Sequence, residues 1–241
     1  MNRTIAIIPA RGGSKGIPKK NIAPFCGYPL IDHVMFAVEW SNVTEAYVLT
    51  DDIDIFNEIG RFKLKHLANK IIPLTRNPEN AKDNSTTESV LLEFINGYRK
   101  GLSLEDTDDI ILVQCTNPFL IPTYINGAMG MMTESRYDSI VSCSRLNRFL
   151  WKKNEAGEAK PINYKYWERP FRQDFKSEIY VENGSFYLNS VGNIKAFGTR
   201  LSGRIGIYEM PDFTAIELDN ASDWITAEKI FDHYHNEAKN A

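Results

Sequence analysis

From Thr4 to Ser144 the chain alternates short apolar runs with helix-spaced segments, and that alternation restricts it to an α/β architecture. Thr4–Pro9, Ala46–Thr50, Lys70–Leu74, Asp109–Gln114 and Ser139–Ser144 read as strands, several of them rich in β-branched residues. Leu30–Trp40, Ile53–Arg61, Ser85–Tyr98 and Tyr124–Glu134 carry helical spacing, and Ser85 with Glu88 has the spacing of a capping box. The expectation is one domain over residues 1–241, built on a mostly parallel Rossmann-like sheet with helices on both faces. Ligands of such sheets bind beyond the carboxyl ends of the strands. That nominates the loop after Pro9, the turn at Asp51, the turn after Gln114 and the segment after Ser144.

The alternation stops at Arg145. Residues 145–182 are polar and aromatic, with Trp151, Tyr164, Tyr166, Trp167, Phe171 and Phe175. A long stretch without elements of its own is unusual inside a compact domain, so this one reads as an inserted arm that packs on a second subunit. Ser185–Leu188, Arg204–Met210 and Ala215–Asp219 then read as strands, and Ala221–Asn236 as a closing helix.

Composition narrows the function classes. A net charge of -3 argues against nucleic acid as a partner. Cys26, Cys115 and Cys143 are far apart with no CxxC or His–Cys cluster, so zinc is not expected. Their odd number suits a reducing compartment. Met1–Thr4 leads into a strand without a signal-peptide pattern, and no apolar run reaches the roughly 20 residues of a membrane span. The expected location is the cytoplasm.

The sharpest local feature is the segment Ile7–Asn21, IIPARGGSKGIPKKN. Gly12 and Gly13 can adopt positive φ and let backbone N–H groups converge. Arg11, Lys15, Lys19 and Lys20 add positive charge, and Ser14 a hydroxyl. Convergent donors and cations suit a triphosphate. Neither the Walker A pattern nor GxGxxG is present. A solvated turn is the alternative, and the position directly after the first strand favours phosphate.

Other clusters stay open from the residues alone. Asp51, Asp52 and Asp54 could form a glycosyltransferase-type metal motif, but acidic residues also favour helix starts, and the helix start is preferred. Arg76–Thr87 is either a solvated loop with a helix cap or a nucleotide contact. Gln114, Thr116 and Asn117 offer neutral hydrogen-bonding groups suited to a polyhydroxylated ligand, or merely shape a turn. Arg169, Arg172 and Gln173 on the arm are solvated, or bind a carboxylate. Glu217 and Asp219, two apart on an expected strand, would share one side and could hold a hard cation. No histidine has ligand or triad spacing.

PARGGSKGIPKKN resembles the signature of the sugar-acid cytidylyltransferases, above all the CMP-sialic acid synthetases. TDD at 50–52, RNPENAKDNSTT at 76–87, QCTNP at 114–118, RPFRQDF at 169–175, ENGSFY at 182–187 and AIELDNASDW at 215–224 follow in the same order. The likeness covers nearly the whole chain and implies a nucleotidyltransferase sheet. It implies that Ala10, Arg11, Gly12, Gly13, Ser14, Lys15, Lys20, Asn21, Arg76, Asp83, Thr86 and Thr87 bind CTP. It implies that Gln114, Thr116, Arg169, Arg172, Gln173, Asn183 and Gly184 face the sugar acid, with Arg11, Lys15 and Asp219 catalytic. Glu217 and Asp219 would hold Mg²⁺ or Mn²⁺, and the arm would make a homodimer. The family usually shows Asp-x-Asp where this chain has Glu-x-Asp, which leaves room for a catalytically dead nucleotide-binding protein. Legionaminic, pseudaminic or 3-deoxy-octulosonic acid are alternatives to a sialic acid, the last disfavoured by the RQDF and ENGSFY pair.

Overall fold

The computed structural model describes residues 2–14, 16–82, 84–97, 104–135, 137–171, 173–175 and 178–240, with side chains as far as 234. The elements run β1 (Thr4–Pro9), β2 (Pro24–Phe25), β3 (Tyr28–Pro29), α1 (Leu30–Glu39), β4 (Glu45–Thr50), α2 (Ile53–His66), β5 (Ile71–Thr75) and α3 (Thr87–Gly97). There follow β6 (Asp109–Val113), α4 (Pro122–Glu134), β7 (Ser139–Arg145), β8 (Trp151–Lys153), β9 (Ala159–Pro161), β10 (Tyr180–Ser190), α5 (Val191–Phe197), β11 (Ile205–Met210) and α6 (Ala221–Asn240). The main sheet has the order β11-β7-β10-β6-β1-β4-β5, and β2–β3 and β8–β9 form two small ribbons.

The period-two alternation of the strands sorts their side chains onto two faces. Ala6 and Ile8 of β1 join a core with Val34 and Met35 of α1, Ile59 and Phe62 of α2 and Ile125 of α4. Ile5 and Ile7 point the other way, to Val90 and Phe94 of α3 and Val191 and Ile194 of α5. Each face is therefore closed by helices, as the sequence predicts. A third apolar cluster joins Phe25 and Leu30 to Leu218, Ala227 and Phe231, fixing α6 against the β2–β3 ribbon. Among the described residues no helix is long and apolar enough to cross a membrane.

The sheet is parallel except at β10, which runs antiparallel to both β6 and β7. The reason is connectivity: the arm leaves the carboxyl end of β7 and returns with Tyr180 opposite Arg145, so the next strand must run backwards. Within the arm the chain forms the β8–β9 ribbon and a short 3-10 turn at Tyr166–Glu168.

Two expectations about elements are corrected, and one helix is added. Ala215–Asp219 is not a strand: a 3-10 turn spans Asp212–Ala215, and the Asp219 N–H then folds back onto the Glu217 carbonyl at 3.1 Å. The capping box of Ser85 with Glu88 is not formed. Thr86 caps α3 instead, its hydroxyl oxygen accepting from the Ser89 N–H at 3.1 Å, and Glu88 pairs with Arg200. Helix α5 carries too short an apolar pattern to read, although Ser190 caps its start and Gly198 ends it in the left-handed conformation.

Candidate active site

The carboxyl ends of β1, β5 and β6 open onto a cleft of about 410 Å³. Arg11, Ser14, Lys20 and Asn21 enter it from the loop after β1; Arg76 and Thr87 from the segment after β5; Gln114 and Thr116 from the turn after β6; Asp219 from the segment before α6. The fold thus gathers residues more than 200 positions apart in sequence, from Arg11 to Asp219, into one cavity. Gly16, Ser85, Val90 and Cys115 complete its wall without having been singled out as site residues. Gly16 stood in the loop, and its fixed spacing from Gly12 and Gly13 was the only available signal.

The loop is held from two sides. Asp51 accepts the Gly12 N–H at 3.1 Å, and Asp52 caps α2 by accepting from Asp54 and Ile55. The acidic triplet therefore builds a helix start and a loop anchor, as preferred over a metal motif. Lys19 pairs with Asp54 at 2.5 Å, so its charge serves α2 rather than the cleft. Lys20 donates to the Leu218 carbonyl at 2.6 Å and lies 3.3 Å from Asp219. Asn21 donates to the Arg11 carbonyl at 3.0 Å. Neither Gly12 nor Gly13 takes the left-handed conformation expected of them; among the loop's described residues Lys19 does, with φ 50°. Gly12 is a glycine for space, because a Cβ there would lie 2.4 Å from the Asp52 carboxylate.

Several expected contacts lie elsewhere. Ala10 is fully buried in the core and donates to the Leu49 carbonyl at 2.8 Å, extending the β1–β4 pairing. Asn183 is fully buried; its amide donates to Thr214 at 2.9 Å and accepts from the Ser185 N–H at 3.2 Å. Asn117 is equally occupied, donating to the Asn183 and Thr214 carbonyls at 2.8 Å each. Both asparagines therefore hold the cleft floor together and do not face a sugar. Arg169 stacks over Phe149 at 4.3 Å, and Gln173 is exposed beside Asn147 and Phe175; neither lines the cleft. Gly13 and Thr86 are exposed at the cleft's edge, Thr86 acting as a helix cap. Lys15, Asp83 and Arg172 lie outside the described residues.

Gly184 sits with φ 61° where the β7–β10 register breaks, and a Cβ there would lie 3.2 Å from Gln114 Oε1 and 3.3 Å from Glu217 Oε1. Gly184 thus lets Gln114 and Glu217 approach one another. Partial burial, followed by the charges of Asp219 and Glu182, raises the Glu217 carboxyl above its ordinary value, with Lys20 opposing. Burial likewise pushes the Cys115 thiol up to about 12, which keeps it neutral behind the cleft. Arg11, Lys20 and Arg76 thus share one cavity with Asp219.

A mostly parallel Rossmann-like sheet of this order, with its cleft beyond β1, defines a nucleotidyltransferase fold. The chain belongs to the cytidylyltransferase family, whose family model matches residues 5–239. It is 37% identical to N-acylneuraminate cytidylyltransferase B of Danio rerio over 229 residues, 93% of this chain and 50% of that one. It is 25% identical to CMP-N,N'-diacetyllegionaminic acid synthase of Legionella pneumophila over 234 residues, 95% of this chain and 97% of that one. The solved structure of CMP:2-keto-3-deoxy-manno-octonic acid synthetase complexed with CTP has a TM-score of 0.63 at 18% identity, covering 97% of this chain and 100% of that one. The chain spans about half the length of the N-acylneuraminate cytidylyltransferases it matches.

Proposed function

We propose that the chain transfers CMP from CTP to the anomeric C2 hydroxyl of a sialic acid-type nonulosonic acid, releasing pyrophosphate. The observation that carries this reading is the meeting of Arg11, Ser14, Lys20, Arg76 and Gln114 in one cleft. The triphosphate lies over the loop after β1, with Arg11, Lys15 and Lys20 as its cations, and the base reaches Arg76 and Asn21. Cytosine presents O2 and N3 as acceptors and N4 as a donor; an arginine serves the acceptors, and uracil reverses the pattern at N3 and position 4. Gln114, Thr116 and Gly184 border the sugar side. The C2 oxygen attacks the α-phosphorus in line, the bond to the bridging oxygen of the β-phosphate breaks, and the hydroxyl proton passes to solvent. Such transfers depend mainly on positioning and charge neutralisation.

Glu217 and Asp219 would hold Mg²⁺ or Mn²⁺. The charge pattern fits: burial, and then the Asp219 charge, raise the cost of ionising Glu217, and a hard dication would offset this. Among the described residues no group of three potential ligands forms; triphosphate oxygens and water would complete the shell of a hard dication. Bound there, the ion neutralises phosphate charge and lowers the pKa of a coordinated hydroxyl. A glutamate in place of the usual aspartate reaches the same region from a turn rather than from a strand.

The arm supports a homodimer: Trp151, Tyr166, Trp167 and Phe171 are exposed on it. The free thiols Cys26, Cys115 and Cys143 support a cytoplasmic location. A second reading, legionaminic acid as the acceptor, is favoured by the nearly end-to-end match to the Legionella pneumophila synthase. Incubation with CTP, Mg²⁺ and a panel of nonulosonic acids, with products identified by mass, decides between the acceptors. Absence of any CMP-sugar overturns the reading. Lys15→Ala is expected to lower kcat far more than stability; normal kcat in a folded variant removes Lys15 from the site.

A further inference from the structure

We propose that Asn80, held by Ser89 and Glu93, is a positioning residue that sets nucleobase selectivity by fixing the guanidinium of Arg76. The inference rests on the cytidylyltransferase reading above. Arg76 directly follows β5, its N–H donating to the Thr50 carbonyl at 2.8 Å, and its side chain is only 5% exposed while lining the cleft. One guanidinium nitrogen donates to the Asn80 backbone carbonyl. A guanidinium is planar, so anchoring one of its donors sets the plane in which the others are presented. The position of that carbonyl therefore bears on which base edge Arg76 meets.

The Asn80 side chain fixes the carbonyl. Its Nδ2 donates to the Glu93 carboxylate, and its Oδ1 accepts from the Ser89 hydroxyl. Ser89 and Glu93 are four residues apart and share one face of α3. The same hydroxyl lies 2.7 Å from the Thr86 carbonyl, the competing acceptor for its one proton. On the far side, Asn80 closes a 3-10 turn, Pro78–Asn80, whose Asn77 cap accepts the Glu79 N–H at 3.0 Å. A carboxylate, an amide and a hydroxyl thus hold one backbone oxygen at the mouth of a buried arginine. Asn80, Ser89 and Glu93 do not line the cleft. Their influence on the base passes through Arg76.

The relay can be inverted without changing net charge. Asn80→Asp alone sets two carboxylates against each other and breaks it. Combined with Glu93→Gln, the introduced aspartate accepts from the introduced amide and still accepts from Ser89. Steady-state kinetics with CTP and with UTP read the effect, and because both nucleotides carry the same triphosphate, their ratio ignores a general change in charge or stability. N80D is expected to raise KM for CTP about 10-fold and to narrow the CTP-over-UTP preference in kcat/KM by a similar factor, with kcat within about twofold. N80D/E93Q is expected to restore both to within about threefold of the parent. Should N80D not fold, Ser89→Ala, which removes one hydroxyl, is expected to narrow the preference about threefold. Unchanged preference in folded N80D or S89A, or no recovery in a folded double variant, overturns the relay while leaving CTP turnover by the parent chain intact. No CTP turnover by the parent with any sugar acid overturns the underlying reading, and the relay with it.

Discussion

A methyl group at Gly16 would lie 2.0 Å from the Asp219 carbonyl oxygen, whereas one at Gly13 meets nothing within 4 Å. The three loop glycines are thus equivalent in sequence and unlike in structure, because spacing alone does not tell which of them another segment overlies. Gly16→Ala is expected to displace the 217–219 segment and lower kcat/KM about 10²-fold, since a misplacement near 1 Å costs that much. Gly13→Ala is expected to stay near the parent value; equal losses in both variants refute the distinction. Asp32 makes a separate case. It is 4% exposed on α1, and burial, with Glu58 adding and Lys65 opposing, pushes its carboxyl from 3.8 up to about 7. The folded state therefore binds the proton more tightly than the unfolded state. The stabilisation is complete below about pH 4 and is lost as pH rises through about 7. Asp32→Asn removes that loss, so its thermal midpoint is expected to exceed the parent's by more at pH 8 than at pH 4.5. A pH-independent difference rules out this account. Arg11, Lys20 and Gln114 are legible as cleft-lining residues because charge or amide chemistry sits just beyond an apolar strand, while the burial of Asn183 is not, because it comes from Met210 and Thr214, far along the chain.

At the scale of elements, β1, β4, β6 and α1 were legible because alternation and helical spacing are local properties of the chain. Strand direction is not local, which is why the reversal at β10 follows only from the arm's return to β7. Ala215–Asp219 has the alternating pattern of a strand but no neighbour to pair with. Its polar groups bond instead to Lys20 and Asp223, the latter accepting the Asp219 N–H at 3.2 Å. What holds this segment is the Asn117 amide, which joins the turn after β6 to β10 and to the 3-10 turn before Glu217. Asn117→Ala strands two carbonyls in a site that is 1% exposed, at about 1–3 kcal/mol each. A urea midpoint unmoved by this substitution refutes that role.

For the whole molecule, the exposed aromatic arm carries the prediction. Sedimentation is expected to give twice the monomer mass for the parent and the monomer mass for Trp167→Glu combined with Phe171→Glu; a parent that stays monomeric at micromolar concentration removes the dimer from the proposed function. The grip of Lys20 on the Leu218 carbonyl has a consequence for biosynthesis. The two groups are 198 residues apart in sequence, and closing so wide a loop must wait for the helices and strands between them. On a ribosome, β1 and its glycine turn emerge early but lack the segment that braces them. A nascent chain stalled before residue 218 carries the strands of the sheet but not the carbonyl that grips Lys20, so the cleft beyond β1 is braced only after that residue has left the ribosome.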